Sequence, residues 1–297
     1  MQENPLVSVI CLAFNHEKFV VETLESVIQQ KYQPIELIIV DDCSLDATKS
    51  EIKNWLTAHP EVQFIANEIN IGNTKSFNNA LKFANGEYIL DLAADDLLLP
   101  NGIQFQVEAF QKSTFKNLGV VYGNAEIINE DGSFDCYYFP VNENKKVISK
   151  RNIGDIYYSV LSTGASICSV SALIKKSVFD SLGGYYETLA YEDLDFWIRA
   201  SRTYEFDFID EVLVKKRTVI NSLGSNFNKK KHKINISTYK ILKKAFDLNR
   251  TKIEDLALQK RVHYEIMNSF KNRSWSLLLK NVGLRIEISW RKNLNRY

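Results

Sequence analysis

The stretch GEYILDLAADD, residues 86–96, decides the predicted fold because an apolar run in it ends in two adjacent carboxylates. The run at residues 88–92 is too short for a helix, and Pro100 ends regular structure soon after Asp95 and Asp96. The pattern predicts a buried strand with paired acids at its C-terminal end. In open α/β sheets ligands bind outside the carboxyl ends of the strands, so such a pair is suited to hold a divalent cation on a phosphorylated ligand. A solvated turn is the alternative for two acids taken alone.

The chain before this stretch alternates between short apolar runs and helical spacing of apolar residues. Strands are predicted at residues 7–14, 35–40 and 62–66, and helices at residues 19–30, 48–58 and 76–84. Such alternation predicts a mostly parallel central sheet with right-handed crossovers and helices on both faces. Asn15, directly after the first strand, is predicted to cap the first helix.

Beyond Pro100 the periodicity predicts further elements of both kinds. Helices are expected at residues 103–110, 177–182 and 191–200, strands at 119–122 and 166–174, a hairpin around 130–133, and a loop at 141–160. The last part of the chain turns to Lys-rich helical segments at residues 236–248 and 253–290. We therefore predict two domains, an α/β domain at residues 1–228 and a helical extension at residues 229–297.

Charge divides the chain at the same place. Residues 1–228 contain 19 Lys and Arg against 31 Asp and Glu, net −12, whereas residues 229–297 contain 18 against 5, net +13. The segment before the first strand has no basic region, and no window approaches 18 uninterrupted apolar residues, so neither export nor a membrane span is predicted. The four cysteines are isolated in sequence, which predicts buried thiols in a reducing compartment instead of a disulfide framework or a zinc site.

Four features occur along the chain in one order. They are an apolar first strand that ends in Phe14-Asn15, VDDCSLD at residues 40–46, the acidic stretch described above, and LGGYYETLAYEDLDFWIR at residues 182–199. As a set they resemble the motifs of family 2 glycosyltransferases, which have the A-type, Rossmann-like fold called GT-A. The resemblance covers about residues 6–225 and is specific, because chance would have to reproduce all four elements in order.

The resemblance implies a nucleotide-sugar site at the carboxyl ends of the first strands. In it Phe14 and Asn15 lie at the nucleotide, with Phe14 near the base. Asp41 and Asp42 contact the base and ribose, and Asp42 is the preferred base contact, since a carboxylate can accept the imino hydrogen of uracil. Lys75, in a segment that resembles the family's Asn-x-Gly motif before a helix, meets the diphosphate. The alternatives are a core aromatic for Phe14 and a solvated helix lysine for Lys75.

The same resemblance makes Asp95 the ligand of a Mg²⁺ or Mn²⁺ ion that bridges the two donor phosphates, with Asp96 in support. Such an ion neutralises charge that grows on the departing diphosphate. Two positions depart from the family's pattern. Ala93 stands where the first acid of the Asp-x-Asp motif is expected, and Val219 lies near the place where many relatives have a His. A site with so few protein ligands predicts weak metal binding in the absence of nucleotide.

Asp193 corresponds to the family's general base, which accepts the proton of the attacking acceptor hydroxyl in an inverting transfer. The resemblance thus implies an inverting glycosyltransferase that moves a sugar from a nucleotide diphosphate sugar, preferably a UDP-sugar, to a saccharide or lipid-linked acceptor in surface polysaccharide synthesis. One alternative is a catalytically degenerate nucleotide-sugar-binding protein, which Ala93 and Val219 favour. Another is a sugar nucleotidyltransferase, which needs a Gly-rich loop that residues 13–16 lack.

The basic extension predicts a peripheral membrane location. Its net charge of +13 is combined with apolar residues spaced between its cations, so we expect residues 229–297 to dock on an anionic membrane surface from the cytoplasm. The apolar positions are Trp275, Leu277, Leu278, Leu279, Val282, Leu284, Ile286, Ile288 and Trp290. The alternative is that this face packs on the catalytic domain or on a second subunit of a homo-oligomer. No nucleic-acid partner is expected, because the cations are dispersed and not interleaved with exposed aromatics.

Overall fold

The computed structural model describes residues 4–163, 167–219 and 233–293. These residues form two compact units. The sheet unit comprises the described residues of 1–154, 167–185 and 204–219, and the helical unit comprises those of 155–166, 186–203 and 220–297. The predicted domain boundary at residues 228–229 lies outside the described residues and stays a prediction. The structure adds two earlier segments of the chain to the helical unit.

The strands all belong to the sheet unit. They are β1 (Val7–Ala13), β2 (Ile35–Asp41), β3 (Gln63–Ala66), β4 (Tyr88–Ala93), β5 (Leu97–Leu98), β6 (Leu118–Ile128), β7 (Phe134–Tyr137), β8 (Leu173–Lys175) and β9 (Glu205–Arg217). The helices are α1 (Val20–Ile28), α2 (Thr48–Leu56), α3 (Asn73–Leu81), α4 (Gly102–Lys112), α5 (Tyr157–Thr163), α6 (Lys176–Leu182), α7 (Asp193–Ala200), α8 (Lys233–Leu248), α9 (Lys252–Lys271) and α10 (Trp275–Asn293). The predicted α/β architecture with C-terminal helices is confirmed.

One sheet runs through the sheet unit in the order β3-β2-β1-β4-β8-β6-β9-β5, and β7 pairs with β6. Its first four strands are parallel and are joined by α1, α2 and α3, as the alternating sequence pattern predicts. β1 is almost wholly buried, which explains its near-continuous apolar sequence. The register pairs Ala13 with Asp41 and Leu12 with Ala93, so β1, β2 and β4 end together. The loops that follow these three strands therefore share one edge.

Two elements predicted around the middle of the chain differ from the structure. The predicted strand at 166–174 is reduced to a 3₁₀ turn at Ser169–Ser171 and to the short β8. The reason is Ser171, whose hydroxyl accepts a hydrogen bond from the Gly123 amide (3.1 Å) and donates to the Gly123 carbonyl (2.9 Å). The predicted loop at 141–160 contains the start of α5, where the Asp155 carboxylate accepts a hydrogen bond from the Tyr157 amide at 3.0 Å.

Two other predictions are wrong because of residues with positive φ. Asn15 has a φ of 59° and does not cap α1, which begins at Val20 after Phe19. The predicted helix at 253–290 is two helices, because Arg273 has a φ of 50° and ends α9. The apolar periodicity continues across this break, so periodicity alone could not reveal it. The prediction of buried thiols is also wrong for Cys136, which is exposed.

A buried ion pair joins the helices of the helical unit. Asp255 of α9 is fully buried, and its carboxylate accepts hydrogen bonds from Arg291 of α10 (Nε to Oδ2, 2.9 Å) and from Asn249 (2.9 Å). Asn249 in turn accepts a 2.7 Å hydrogen bond from the hydroxyl of Tyr157 on α5. This network fixes α5, α9 and α10 to one another.

We expect Arg291→Met to destabilise the helical unit, because it leaves the Asp255 carboxylate buried without its cation. The expected loss in the free energy of unfolding is about 3 kcal/mol or more, measured by urea denaturation followed by circular dichroism. Lys243→Met is the control, because Lys243 pairs with Glu287 on the surface between α8 and α10. That variant should lose less than about 1 kcal/mol. Equal losses in the two variants would contradict the importance of the buried pair.

Candidate active site

Side chains tie together the loops that follow β1 and β2. The Asn15 amide donates to the Ser44 hydroxyl at 3.0 Å, and the Asn15 side-chain oxygen accepts from the Leu45 amide at 2.8 Å. Phe14 directly follows β1, beside these two hydrogen bonds, and is 41% exposed. The structure thus presents Phe14 at the sheet edge, where the sequence predicts it, and gives the Asn15 side chain a role in holding the loop.

Asp41 and Asp42, at the end of β2, have different surroundings. The Asp42 carboxylate accepts three hydrogen bonds, from the Asn67 side chain (2.8 Å) and from the amides of Ile71 (2.9 Å) and Gly72 (2.8 Å). Asp41 is fully buried and accepts a 3.3 Å hydrogen bond from the Ser44 amide through Oδ2. Its Oδ1 is buried without a hydrogen-bond partner. Asp42 therefore anchors the loop before α3, and Asp41 keeps an acceptor that no donor satisfies.

The acid turn, which we define as residues 94–96, directly follows β4. Asp95 has a side chain that is 14% exposed, and its Oδ2 lies 3.9 Å from Nε2 of His16. That distance is too long for a hydrogen bond, and none reaches the Asp95 carboxylate from the described residues. Asp96 is buried, and its Oδ1 accepts a 2.8 Å hydrogen bond from the Arg217 amide. One carboxylate of the turn is thus committed to the protein, and the other remains open at the sheet edge.

Arg217, the last residue of β9, holds the acid turn in place through hydrogen bonds. Its guanidinium donates to the Asp95 carbonyl (3.1 Å), to the Glu130 carbonyl in the β6–β7 turn (3.0 Å), and to the Glu22 carboxylate of α1 (2.8 Å). The guanidinium also lies over the ring of Phe19, 4.6 Å from its centroid. Arg217 is buried, and these contacts satisfy donors that would otherwise be costly to desolvate.

Burial raises the pKa of Asp96 well above its usual range, and the neighbouring Asp95 charge raises it further, while the hydrogen bond from the Arg217 amide opposes the shift. Two carboxylates this close resist carrying two negative charges together. A divalent cation at the turn would relieve that repulsion.

The donor set at the turn fits a hard divalent cation that also binds substrate phosphates. Asp95 offers carboxylate oxygens, and Mg²⁺ or Mn²⁺ commonly keeps waters and phosphate oxygens as its other ligands. In the part of the chain that the structure describes, no three His, Cys, Asp or Glu side chains converge as a complete protein metal site. Asp95 is the residue of the turn whose carboxylate could hold such an ion.

Lys75 and Asp193 complete the predicted set. Lys75 lies exposed on α3 and makes no ion pair with another described residue. Asp193 begins α7 in the helical unit, and its Oδ1 accepts a 2.7 Å hydrogen bond from the Leu194 amide. Asp195, two residues on, is buried and accepts a 2.7 Å hydrogen bond from Arg199, which marks it as a structural acid. The structure brings Phe14, Asp41, Asp42, Asp95 and Asp96 to the carboxyl ends of three neighbouring strands.

The sequence does not predict a role for three further side chains, two near the acid turn and one within β4. His16 lies in the loop after β1 and Arg217 lies at the end of β9, and both contact the acid turn. These residues are distant from the turn in the sequence, so no local sequence pattern predicts the contacts. For Asp91 the sequence does contain a signal, because Asp91 is an acid in the middle of an otherwise apolar strand. The residues of β4 on both sides of Asp91 are apolar, and an acid within such a strand is unusual unless it has a structural or functional role.

The chain matches the sequence model of glycosyl transferase family 2 over residues 8–183. It is 30% identical over 218 residues to an uncharacterised glycosyltransferase of Methanocaldococcus jannaschii, covering 72% of this chain and 71% of that protein. Some curated relatives are much longer, and the chain covers 34% of a Rickettsia felis glycosyltransferase that it matches at 31% identity.

Solved structures show the same fold. The structure of Staphylococcus aureus TarS 1–349 in complex with UDP-GlcNAc aligns with a TM-score of 0.71 at 17% identity, over 95% of this chain and 81% of that one. A mannosyltransferase from Pyrobaculum calidifontis in complex with GDP-Man and Mn²⁺ aligns with a TM-score of 0.59 at 14% identity, over 100% and 89%. The fold is thus the predicted GT-A fold. Because the family match extends over more than half of its residues, this chain belongs to glycosyl transferase family 2.

Proposed function

We propose that the chain is an inverting glycosyltransferase that moves a sugar from a nucleotide diphosphate sugar, preferably a UDP-sugar, to a saccharide or lipid-linked acceptor in surface polysaccharide synthesis. The observation that carries this proposal is the Asp95 carboxylate, which is open at the sheet edge while Asp96 beside it is committed to the protein. The UDP-GlcNAc in the TarS complex supports a UDP-sugar, and the GDP-Man in the other complex makes GDP-sugars the second class to test.

The donor nucleotide would lie over the ends of β1 and β2. The exposed ring of Phe14 offers a face for the base. Of the two acids we assign the base contact to Asp41 and not to Asp42, because Asp42 already accepts three hydrogen bonds whereas Asp41 Oδ1 has no partner. A donor from the ligand would remove the cost of that buried, unpaired oxygen, about 1–3 kcal/mol. Lys75 would reach the diphosphate.

The reaction needs stabilisation of the leaving diphosphate and removal of a proton from the acceptor. Asp95 would hold Mg²⁺ or Mn²⁺, which when bound supplies Lewis-acid stabilisation of the diphosphate charge. Asp96 supports the turn through its hydrogen bond with the Arg217 amide. Asp193, at the start of α7, would accept the acceptor's proton.

Asp193→Asn should bind the donor nucleotide with unchanged affinity but lose turnover by about 10²-fold or more, because it deletes proton acceptance while keeping the side-chain size. The measurement is release of UDP or GDP from UDP-GlcNAc and GDP-Man with Mn²⁺ and saccharide acceptors, beside calorimetry of nucleotide binding.

Asp180→Asn is the matched control, because Asp180 is an exposed acid on α6 paired with Lys176. It should retain wild-type release. Full turnover in Asp193→Asn would assign the base to another residue. Binding of nucleotide sugars without any release by the wild type would favour the degenerate binding protein, and absence of all nucleotide binding would contradict the proposed function.

The helical unit presents an apolar stripe that we propose docks on an anionic membrane surface at the cytoplasmic face. Trp275, Leu279, Ile286 and Trp290 are between 49% and 69% exposed, and they fall within about 60° of one another around α10. Leu284 and Ile288, on the opposite side of the helix, are buried. Lys280 and Arg285, two exposed cations among the α10 residues whose side chains are described, flank the stripe, as is typical of an interfacial helix. Within the described residues, none of the helices combines the length and apolarity needed to cross a membrane.

The double variant Leu279→Ser/Trp290→Ser should lose most of its co-sedimentation with phosphatidylserine vesicles, because it removes apolar area from the interface. Wild-type binding should weaken at high salt, since the cations contribute through screened charge interactions. Neutral vesicles should bind less protein in every case.

The control is Ile236→Ser/Ile253→Ser, which changes two exposed apolar residues of the same unit outside the stripe. It should bind vesicles as the wild type does. Equal, negligible sedimentation of all three proteins would contradict membrane docking. Dimerisation of the wild type that the stripe variant abolishes would assign the stripe to a second copy of the chain.

A further inference from the structure

Asp91 occupies an unusual place in β4. It lies two residues before Ala93, so both side chains project from the same face of the strand. Ala93 is exposed and carries only a methyl group, so the face is open to solvent directly beyond Asp91. On β1 the residues paired with these two are Ile10, which is fully buried, and Leu12, which is partly exposed. Asp91 therefore lies at the boundary between the buried part of β4 and its exposed end.

Only one oxygen of Asp91 is committed to the protein. Oδ2 accepts a hydrogen bond from the Tyr185 hydroxyl at 3.0 Å. Oδ1 receives no donor from the described residues, and the residue is only half-buried, so a ligand can reach it. Burial raises the pKa of Asp91 to about 7, and the hydrogen bond from Tyr185 opposes this shift. Asp91 thus has one oxygen that Tyr185 fixes and one that stays accessible from the open side of the strand.

Tyr185 holds Asp91 in a fixed orientation. Its backbone is clamped by Asn78 of α3, which donates to the Tyr185 carbonyl (2.8 Å) and accepts from the Tyr185 amide (2.9 Å). The Tyr185 ring also packs 4.5 Å from the ring of Phe77 and 5.5 Å from that of Phe179, measured between centroids. Gly184 permits this close approach, because a Cβ there would lie 2.5 Å from the Asn78 side chain. The hydroxyl that orients Asp91 is thus rigidly placed.

We propose that Asp91 is a donor-binding residue, whose open oxygen accepts a hydrogen bond from a hydroxyl group of the bound nucleotide sugar through the opening that Ala93 leaves. The inference rests on the proposed function and extends it to a residue of the donor site. An acid at position 93 would occupy this opening, so the small Ala93 and the acid at Asp91 complement each other. The hydroxyl belongs either to the ribose or to the transferred sugar, and these two sources make different predictions.

The test is calorimetry of UDP, UDP-GlcNAc, GDP and GDP-Man with Mn²⁺ on the wild type, Asp91→Ala and Asp91→Asn. We expect Asp91→Ala to weaken binding of the sugar nucleotide about tenfold. If the hydroxyl belongs to the transferred sugar, binding of the free nucleoside diphosphate should change less than about twofold. If it belongs to the ribose, both affinities should fall together, and a 2′- or 3′-deoxyribose analogue should bind the wild type and Asp91→Ala equally.

Asp207→Asn is the matched control, because Asp207 is another carboxylate on a strand of the sheet unit whose pKa is raised by burial. It should leave all four affinities unchanged. Asp91→Asn keeps the side-chain size and serves where Asp91→Ala fails to fold. Wild-type affinities for every probe in a folded Asp91 variant would overturn the inference while leaving the proposed function intact. Failure of the wild type to bind any of the four probes would instead overturn the proposed function.

Discussion

The hydrogen bonds of one buried cation, Arg217, are the interaction on which the site depends. Its guanidinium joins the acid turn after β4, the turn between β6 and β7, and Glu22 of α1, three segments that are distant in sequence. A buried guanidinium is tolerated only when its donors are satisfied, so these segments are held together by the cost of separating them. The Arg217 amide then fixes Asp96, which leaves Asp95 as the carboxylate that faces outward. The chemistry proposed for Asp95 follows from this division of roles.

The sheet supplies the second constraint. Parallel pairing of β1 with β2 and β4 brings three strand ends to one edge. Asp41 is the last residue of β2, and Phe14 and Asp95 lie in the loops that follow β1 and β4. Such an edge must be stiff if it is to bind a nucleotide sugar in one orientation. This edge is made rigid by residues whose side chains form hydrogen bonds with the backbone of neighbouring loops. Asp42 fixes the loop before α3 through two backbone amides, and Asn78 fixes the backbone of Tyr185.

The sequence is enough to predict the strands and the acids that end them, because buried parallel strands leave a long apolar pattern that polar residues interrupt only at the edge. It is not enough to identify the partners of those acids. Arg217 contacts Asp95 across 122 residues, and Tyr185 contacts Asp91 across 94, and such contacts leave no local pattern. The error at Asn15 has a local cause, because a residue suited to a helix cap is equally suited to a positive φ. The sequence also does not reveal the three hydrogen bonds that the Asp42 carboxylate accepts, which are the reason for proposing Asp41 as the base contact.

The function proposed for the acid turn is to bind a nucleotide diphosphate together with a divalent cation. The most direct measurement is calorimetric titration of the wild type and Asp95→Asn with UDP and GDP, in Mn²⁺ and in EDTA. Mn²⁺ is expected to tighten binding of one nucleotide to the wild type by about tenfold or more, and Asp95→Asn is expected to remove this gain. Equal affinity with and without Mn²⁺ in the wild type would contradict it.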